Sequence, residues 1–152
     1  MVRDPFTAIP SLVSYIAHCW RLFASPTVRF PFARELTQMC GLHYSYPVAV
    51  RDKSPRRAKQ MCWLHYEQCT QDLVKSVTSL YKHLGLKRFT GAMANTLDME
   101  SRLCRQYVTH HRYDLEETCG QTREEFVQQH AAAFELYPEY VVDLKEAEEQ
   151  SI

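Results

Sequence analysis

The chain has 152 residues, 45 % of them hydrophobic, with 18 Lys and Arg against 18 Asp and Glu. This length suits one domain with a moderate core, and zero net charge gives no general reason to bind nucleic acid. With 4 glycines and no sustained alternation of apolar and polar positions, the sequence predicts an all-α fold. We expect a single helical domain with one long central helix and flanking amphipathic helices.

The charges are distributed unevenly along the chain. Residues 1–91 hold 13 Lys/Arg and 5 Asp/Glu, a net +8, and residues 92–152 hold 5 and 13, a net −8. Such a split indicates either two unlike surfaces that face different partners or two halves that neutralise each other. The prediction favours partners.

The six cysteines are expected to be reduced thiols, since no signal peptide with a long apolar centre precedes them. Cys62 and Cys69 would lie about 10 Å apart by helical rise, beyond the roughly 7 Å limit for a disulfide. The longest apolar stretch, 12–24, is interrupted by His18 and Arg21 and is too short to cross about 30 Å of hydrocarbon. The sequence therefore predicts no membrane-spanning segment.

The first 34 residues contain four arginines and one acid, in an amphipathic setting that resembles a mitochondrial targeting sequence. A helix after Pro10-Ser11 and before Ser25-Pro26 is expected. Its apolar face would consist of Leu12, Tyr15, Ile16, Cys19, Leu22 and Phe23. We expect a core helix; the alternative is a helix lying on a membrane or on membrane subunits, with Arg21 and Arg29 facing lipid phosphates.

Residues 33–53 are expected to form a short helix and then an ordered loop. The apolar turn Phe30-Pro31-Phe32 leads into a helix over 33–42, which Gly41 would stop. The loop over 43–53 carries exposed tyrosines that either contact another chain or cover the core. Together, 1–53 would be an N-terminal extension with short helices.

The longest predicted element is a helix over about 55–84, within a segment 54–85. Ser54 can cap the first turn, Pro55 suits the first helical position, and Gly85 can end the helix in a left-handed conformation. Its inward face recurs at steps of three and four. That face is Ala58, Cys62, His65, Cys69, Leu73, Val77, Leu80 and Leu84. At about 1.5 Å per residue, this helix would be roughly 45 Å long.

An acidic helical part is predicted over 86–152. It would contain a helix over 92–113, an acidic loop over 114–120 and a helix from Arg123 to about residue 135. Thr122 and Glu125 predict the start of that helix as a capping box. Pro138 would then begin a last helix over 139–149.

No catalytic or metal site is expected. Cys62, His65 and Cys69 share the predicted helix face, but the two cysteines are two turns apart, too far to hold one zinc ion. His110 and His111 would point to different sides of a helix. A small helical enzyme using these two histidines and acids near Asp114 remains the alternative of another class.

The phrase LYKHLGLKR at 80–88 resembles the signature of the cytochrome bc1 complex subunit 7 family, the small "ubiquinone-binding" subunit of mitochondrial complex III. Three later phrases agree in order and approximate spacing, so that the resemblance covers 77–150. They are Arg102-Leu103-Cys104-Arg105, Arg123-Glu124-Glu125-Phe126 and Leu136-Tyr137-Pro138-Glu139-Tyr140.

The resemblance implies a non-catalytic, cofactor-free accessory subunit on the matrix side of the mitochondrial inner membrane. Such a subunit packs on cytochrome b and on the core subunits of the respiratory complex; accessory subunits of complex I or of the ATP synthase are the alternative. The implied partner-binding residues are Tyr81, Lys82, Leu84, Leu86, Lys87, Arg88, Arg102, Arg105, Tyr137 and Tyr140. Arg21 and Arg29 are the candidates for membrane contact.

Overall fold

A computed structural model describes residues 1–24, 26–86, 89–106 and 113–141. All the named elements in these residues are helices, which confirms the predicted all-α class. They are α1 (Pro5–Phe23), α2 (Ala33–Lys53), α3 (Pro55–Ala58), α4 (Tyr66–Gln71), α5 (Leu73–His83), α6 (Gly91–Gln106), α7 (Leu115–Cys119), α8 (Arg123–Gln129) and α9 (Ala131–Leu136).

The contacts divide the chain into two compact units. Unit 1 comprises Met1–Arg3 and Pro55–His111, and unit 2 comprises Asp4–Ser54 and Arg112–Ile152. Unit 1 therefore contains α3 to α6, and unit 2 contains α1, α2 and α7 to α9. The predicted subdivision at residues 53 and 85 stays a prediction.

Unit 2 is built around three phenylalanine rings from helices far apart in the sequence. Phe6 of α1 stacks on Phe134 of α9 at a centroid distance of 5.7 Å, and both rings meet Phe126 of α8 edge to face at 6.0 and 6.1 Å. The Arg123 guanidinium lies 4.1 Å above the Phe6 ring. Aromatic pairs of this geometry and cation–π contacts stabilise the fold beyond what burial of the rings contributes.

Unit 1 joins the first residues of the chain to the segment before α4. The Val2 N–H donates to the Leu64 carbonyl and the Tyr66 N–H donates to the Val2 carbonyl, each at 2.7 Å. The Arg3 guanidinium lies 4.8 Å from the Tyr66 ring centroid. These contacts hold His65 in an extended conformation, through a single parallel bridge between Val2 and His65.

The prediction of one helix over 55–84 is wrong: α3 ends at Ala58, and two further features keep α3, α4 and α5 from forming one helix. The bridge to Val2 occupies the Leu64 carbonyl and the Tyr66 N–H, two groups that a continuous helix would need for its own hydrogen bonds. At Asp72 the carboxylate accepts from the Lys75 N–H at 2.8 Å, so Asp72 caps α5 and separates it from α4. An aspartate side chain competes in this way with the backbone for N–H groups. The ends were predicted correctly: α3 begins at Pro55, and Gly85 has φ +65°.

The prediction of a short helix over 33–42 with a loop after it is also wrong. Helix α2 runs for 21 residues through Gly41 and Pro47. Gly41 makes room for the His130 ring, because a Cβ at this position would lie 2.1 Å from Nε2 of His130. Pro47 lies inside this helix, where proline removes one backbone hydrogen bond, and the next residue, Val48, is buried.

Helix α1 starts earlier than predicted. Asp4 caps it by accepting from the Phe6 N–H at 3.0 Å, with Pro5 at its first position, the cap and proline pattern typical of helix starts. Its buried side chains belong to Pro5, Phe6, Ile9, Pro10 and Val13. The face predicted to be its core face is therefore not the face that packs.

In the C-terminal part, the predicted acidic loop over 114–120 is wrong, since it contains α7. Asp114 caps this helix by accepting from the Glu117 N–H at 2.7 Å, and Gly120 ends it at φ +67°. The capping box of Thr122 and Glu125 is confirmed. The predicted helix over 123–135 is divided at His130 into α8 and α9, and most of the predicted last helix lies outside the described residues.

Candidate docking surfaces

The outer side of α1 exposes a stripe of large apolar side chains. Its most exposed members are Tyr15, Leu22 and Phe23, which keep 64 %, 64 % and 86 % of their surface accessible. Leu12 on the same stripe is 44 % exposed, and Ile16 and Cys19 are half-buried. Sequence analysis identified this set of residues correctly as one helical face but placed it in the core.

A second apolar stripe lies on the outer side of α2, opposite its buried residues. Met39, Leu42 and Tyr46 are 54 %, 58 % and 69 % exposed. Their spacing of three and four puts them on one face of the helix. Glu35 and Lys53 extend the same line toward the two helix ends, so this stripe has an acidic and a basic end. The sequence analysis missed this stripe because it predicted a loop over 43–53, and side chains on a loop do not form a helical face.

The predicted partner-binding residues around 81–88 lie at the end of α5 in unit 1. Lys82, Leu84 and Leu86 are exposed, whereas the Tyr81 ring packs edge to face on Phe89 at 5.5 Å. The helix ends with Leu86 N–H donating to the Tyr81 carbonyl at 2.9 Å and Gly85 N–H to the Lys82 carbonyl at 3.3 Å. This Schellman arrangement fixes the two leucines at the surface. Lys87 and Arg88 lie outside the described residues.

The arginines predicted for partner binding on α6 are exposed but already engaged. Arg102 donates to the Asp98 carboxylate at 2.7 Å. Arg105 donates to the carbonyl and to Oγ of Ser101, each at 3.3 Å. Arg105 also lines a cavity of about 680 Å³, together with Asp72, Lys75, Asp98 and Ser101. An exposed pair such as Arg102–Asp98 contributes little to stability.

Tyr137 and Tyr140, also predicted to bind a partner, lie in the interior of unit 2. They are 2 % and 9 % exposed, and their ring centroids are 6.4 Å apart. Burial raises the pKa of Tyr137 to about 12. In this arrangement both rings serve the core of unit 2 and their side chains are not presented at its surface.

Arg21 and Arg29 line a cavity of about 540 Å³ in unit 2. Its walls include Val13, Asp114 and Glu117, and Arg29 donates to the Glu117 carbonyl at 3.2 Å. Val13 belongs to the inner side of α1, so these two arginines lie toward the core side of the helix and away from its exposed stripe.

The remaining chemistry-bearing side chains do not form a site. Burial raises the pKa of the thiols of Cys40 and Cys119, which keeps them protonated and poorly nucleophilic. Within the described ranges no group of three or more His, Cys, Asp or Glu side chains is arranged to hold a metal ion. His110 and His111, the alternative catalytic pair, lie outside the described residues.

Comparison with known proteins gives no relative. No family model matches the sequence, and neither a curated protein nor a solved structure matches it. In the part of the chain that the structure describes, no helix is both long enough and apolar enough to cross a bilayer.

Proposed function

We propose that this chain is a non-catalytic accessory subunit of the mitochondrial cytochrome bc1 complex. In this role it lies peripherally on the matrix side of the inner membrane and braces cytochrome b against the matrix-side core subunits. The resemblance of residues 77–150 to the subunit 7 family motivates the choice of complex.

The observation that carries an accessory role is the apolar surface of unit 2. Of the fourteen large hydrophobic side chains that are exposed in the described residues, nine lie between Leu12 and Tyr46. Seven of these nine form the two stripes on α1 and α2, and a row of exposed apolar side chains on one helix face marks interaction sites on soluble proteins. Because the core of unit 2 is already formed by other side chains, these nine are available to a partner.

The α2 stripe suits a protein partner in particular. Its apolar centre can pack in a groove of another chain, as amphipathic helices do. Glu35 at one end and Lys53 at the other can pair with opposite charges, which fixes orientation more than it adds affinity. Such a two-ended surface is what a brace between different subunits requires.

The assembly can be tested by tagging the chain and separating solubilised mitochondrial membranes on blue-native gels. We expect the tagged chain to migrate with cytochrome b, as identified by mass spectrometry of the band. The L42E variant places a charge at the centre of the α2 stripe and should lose this migration. The matched control Q128E adds the same charge at an exposed polar position of α8 and should keep it.

Two outcomes would contradict this proposal. Migration of the wild-type chain with complex I or with the ATP synthase would assign it to a different assembly. Migration as a free protein, with L42E and Q128E indistinguishable from it, would remove the accessory role.

A further inference from the structure

The α2 stripe is the middle of a longer seam along the outward face of that helix. Six exposed side chains follow one another at steps of four and three residues; they are Glu35, Met39, Leu42, Tyr46, Ala49 and Lys53. At about 100° per residue, all six lie within an arc of roughly 80°. This narrow repeat is the pattern of a coiled-coil seam, whereas a helix that packs on a globular core has a wider apolar face.

The core of unit 2 leaves this seam accessible. The residues of α2 that are buried lie on the opposite side of the helix; they are Thr37, Cys40, Gly41 and Val48. Pro47 lies about 120° round the helix from the centre of the seam, so its ring does not interrupt the row. Because α2 is already folded against the rest of unit 2, a partner would meet a preformed surface and little conformational entropy would be lost on binding.

The order of side chains along the seam is complementary to itself. The seam positions form three pairs, 35 with 53, 39 with 49 and 42 with 46, whose members are equally far from position 44. A second copy of α2 that lies antiparallel, with the two-fold axis level with position 44, therefore brings each side chain opposite its pair member. The large Met39 then meets the small Ala49, and Leu42 meets Tyr46. Such a contact is isologous, since both copies use the same surface.

The charges at the two ends of the seam favour this arrangement. In the antiparallel dimer, Glu35 of each copy faces Lys53 of the other, which gives two attractive pairs. In a parallel dimer, Glu35 would face Glu35 and Lys53 would face Lys53, and like charges opposite each other disfavour a pairing. Within the described residues neither side chain forms an ion pair. The α1 stripe has no charged residue in its line and gives no comparable indication of an occupant.

We infer that two copies of this chain form an antiparallel homodimer through the α2 seam, with Glu35 of each copy facing Lys53 of the other. The inference rests on the proposed function, which makes the α2 stripe a docking surface, and deepens it by naming a second copy as the occupant. The chain then joins the complex as a dimer, and the α1 stripe of each copy remains for other subunits. A seam about 27 Å long buries less area than a standard interface, so we expect a dissociation constant on the order of 10 μM.

The test is sedimentation equilibrium of the purified full-length protein, in a reducing buffer that excludes dimers linked through cysteines. Over roughly 1 to 300 μM, the wild-type protein should pass from monomer to dimer. L42E places a carboxylate at the centre of the seam in both copies and should weaken dimerisation at least about tenfold. E35K and K53E each place like charges opposite each other and should weaken it about three- to tenfold at low salt. The double variant E35K/K53E restores opposite charges and should return to within about twofold of the wild type.

The matched control for E35K is E116K, which reverses an exposed acid in the first turn of α7. It should leave the dissociation constant unchanged. Circular dichroism will show that every variant is folded, as we expect because all the changed positions are exposed. Since E35K and K53E each remove a favourable interaction with the helix dipole, recovery in the double variant cannot come from a more stable helix.

The inference is overturned if the wild-type protein stays monomeric throughout this concentration range, or if L42E dimerises as tightly as the wild type. A double variant E35K/K53E that dimerises no better than E35K would likewise overturn it, since the two charges would not face each other. A monomeric chain that migrates with cytochrome b removes only the homodimer. A dimer that does not migrate with cytochrome b removes only the bc1 assignment.

Discussion

At the scale of single residues, a close contact in unit 2 joins a glycine to a histidine. His130 lies over Gly41 on α2 and is 5 % exposed. Its Nδ1 lies 3.1 Å from Oγ of Ser45, which donates to the Gly41 carbonyl at 3.4 Å. The buried Nε2 faces the Gly41 backbone and has no hydrogen-bond partner among the described residues.

Substitution of Gly41 by alanine should destabilise unit 2 although alanine is the better helix former. The new Cβ would lie 2.1, 2.4 and 2.7 Å from three atoms of the His130 ring, and overpacking of this kind costs about 2 kcal/mol. Urea unfolding of G41A followed by Trp20 fluorescence, in a W63F background, measures the loss. The control G91A meets nothing within 4 Å and should lose no stability; equal stability of G41A and the parent would contradict the contact.

The pH dependence of unfolding should report His130. Burial lowers its pKa below the ordinary value of 6.5, so the unfolded chain takes up a proton near that pH when the native state does not. This contribution to the free energy of unfolding is constant above about pH 6.5 and is lost progressively as the pH falls below it. Urea unfolding at steps from pH 7.5 to 5.5 should show the decline. H130Q should flatten it, while H43Q at an exposed position should leave it unchanged.

At the scale of helices, the interruption at Asp72 decides the architecture of unit 1. Without it, the apolar repeat from Cys69 to Leu84 would continue α4 directly into α5. The Asp72 backbone has φ −147° and ψ 86°, outside the helical region, and its carboxylate satisfies the Lys75 N–H. A single side chain thus overrides a repeat that is otherwise consistent with one helix.

Removal of this cap should weaken unit 1. D72A is expected to lose about 1 kcal/mol, the usual worth of an aspartate cap. Trp63 fluorescence in a W20F background follows unit 1 during urea unfolding. D98A removes only the exposed pair with Arg102 and should stay within about 0.5 kcal/mol of the parent. If D98A lost as much free energy of unfolding as D72A, the cap at Asp72 would not explain the loss in D72A.

Local signals were predictable from the sequence, and tertiary ones were not. The capping box at Thr122 and the stop at Gly85 depend on residues within one turn, and both were predicted correctly. Asp4-Pro5 and Asp114 are equally local cap signals and could have located α1 and α7. Gly41 was misinterpreted as a helix stop because nothing in residues 33–53 indicates the His130 ring that requires it.

The apolar stripe on α1 likewise combines a local feature that the sequence predicts with a tertiary one that it does not. The stripe from Leu12 to Phe23 was found by its spacing, which is a property of one helix. Its exposure depends on which face of α1 meets Phe126 and Phe134, and those contacts join residues more than 100 positions apart. Sequence periodicity gives the existence of an apolar face, and only tertiary structure tells whether that face is covered.

At the scale of the whole molecule, the two units differ in the amount of apolar core. The buried residues of unit 2 include the three core phenylalanines, Ile9 and Val13, whereas unit 1 buries only Val2, Cys69 and Ser101 among its described residues. Apolar burial is the main favourable term in folding, so unit 1 should be the less stable of the two.

Hydrogen exchange measured by mass spectrometry should separate the units. Amides of α4 and α5 in unit 1 should exchange markedly faster than those of α1, α2 and α8 in unit 2, since sparse cores open at lower free energy. Uniform exchange across all these helices would show that the units open together.

The bridge from Val2 to 64–66 also bears on synthesis. Val2 is synthesised before Leu64 and Tyr66, so its backbone cannot form these hydrogen bonds until more than sixty further residues have been made. Unit 2 has a longer delay of the same kind, because Phe6 precedes Phe134 by more than 120 residues. Nascent α1 therefore leaves the ribosome with its apolar faces exposed to solvent, and its inner face stays exposed until Phe126 and Phe134 have been synthesised.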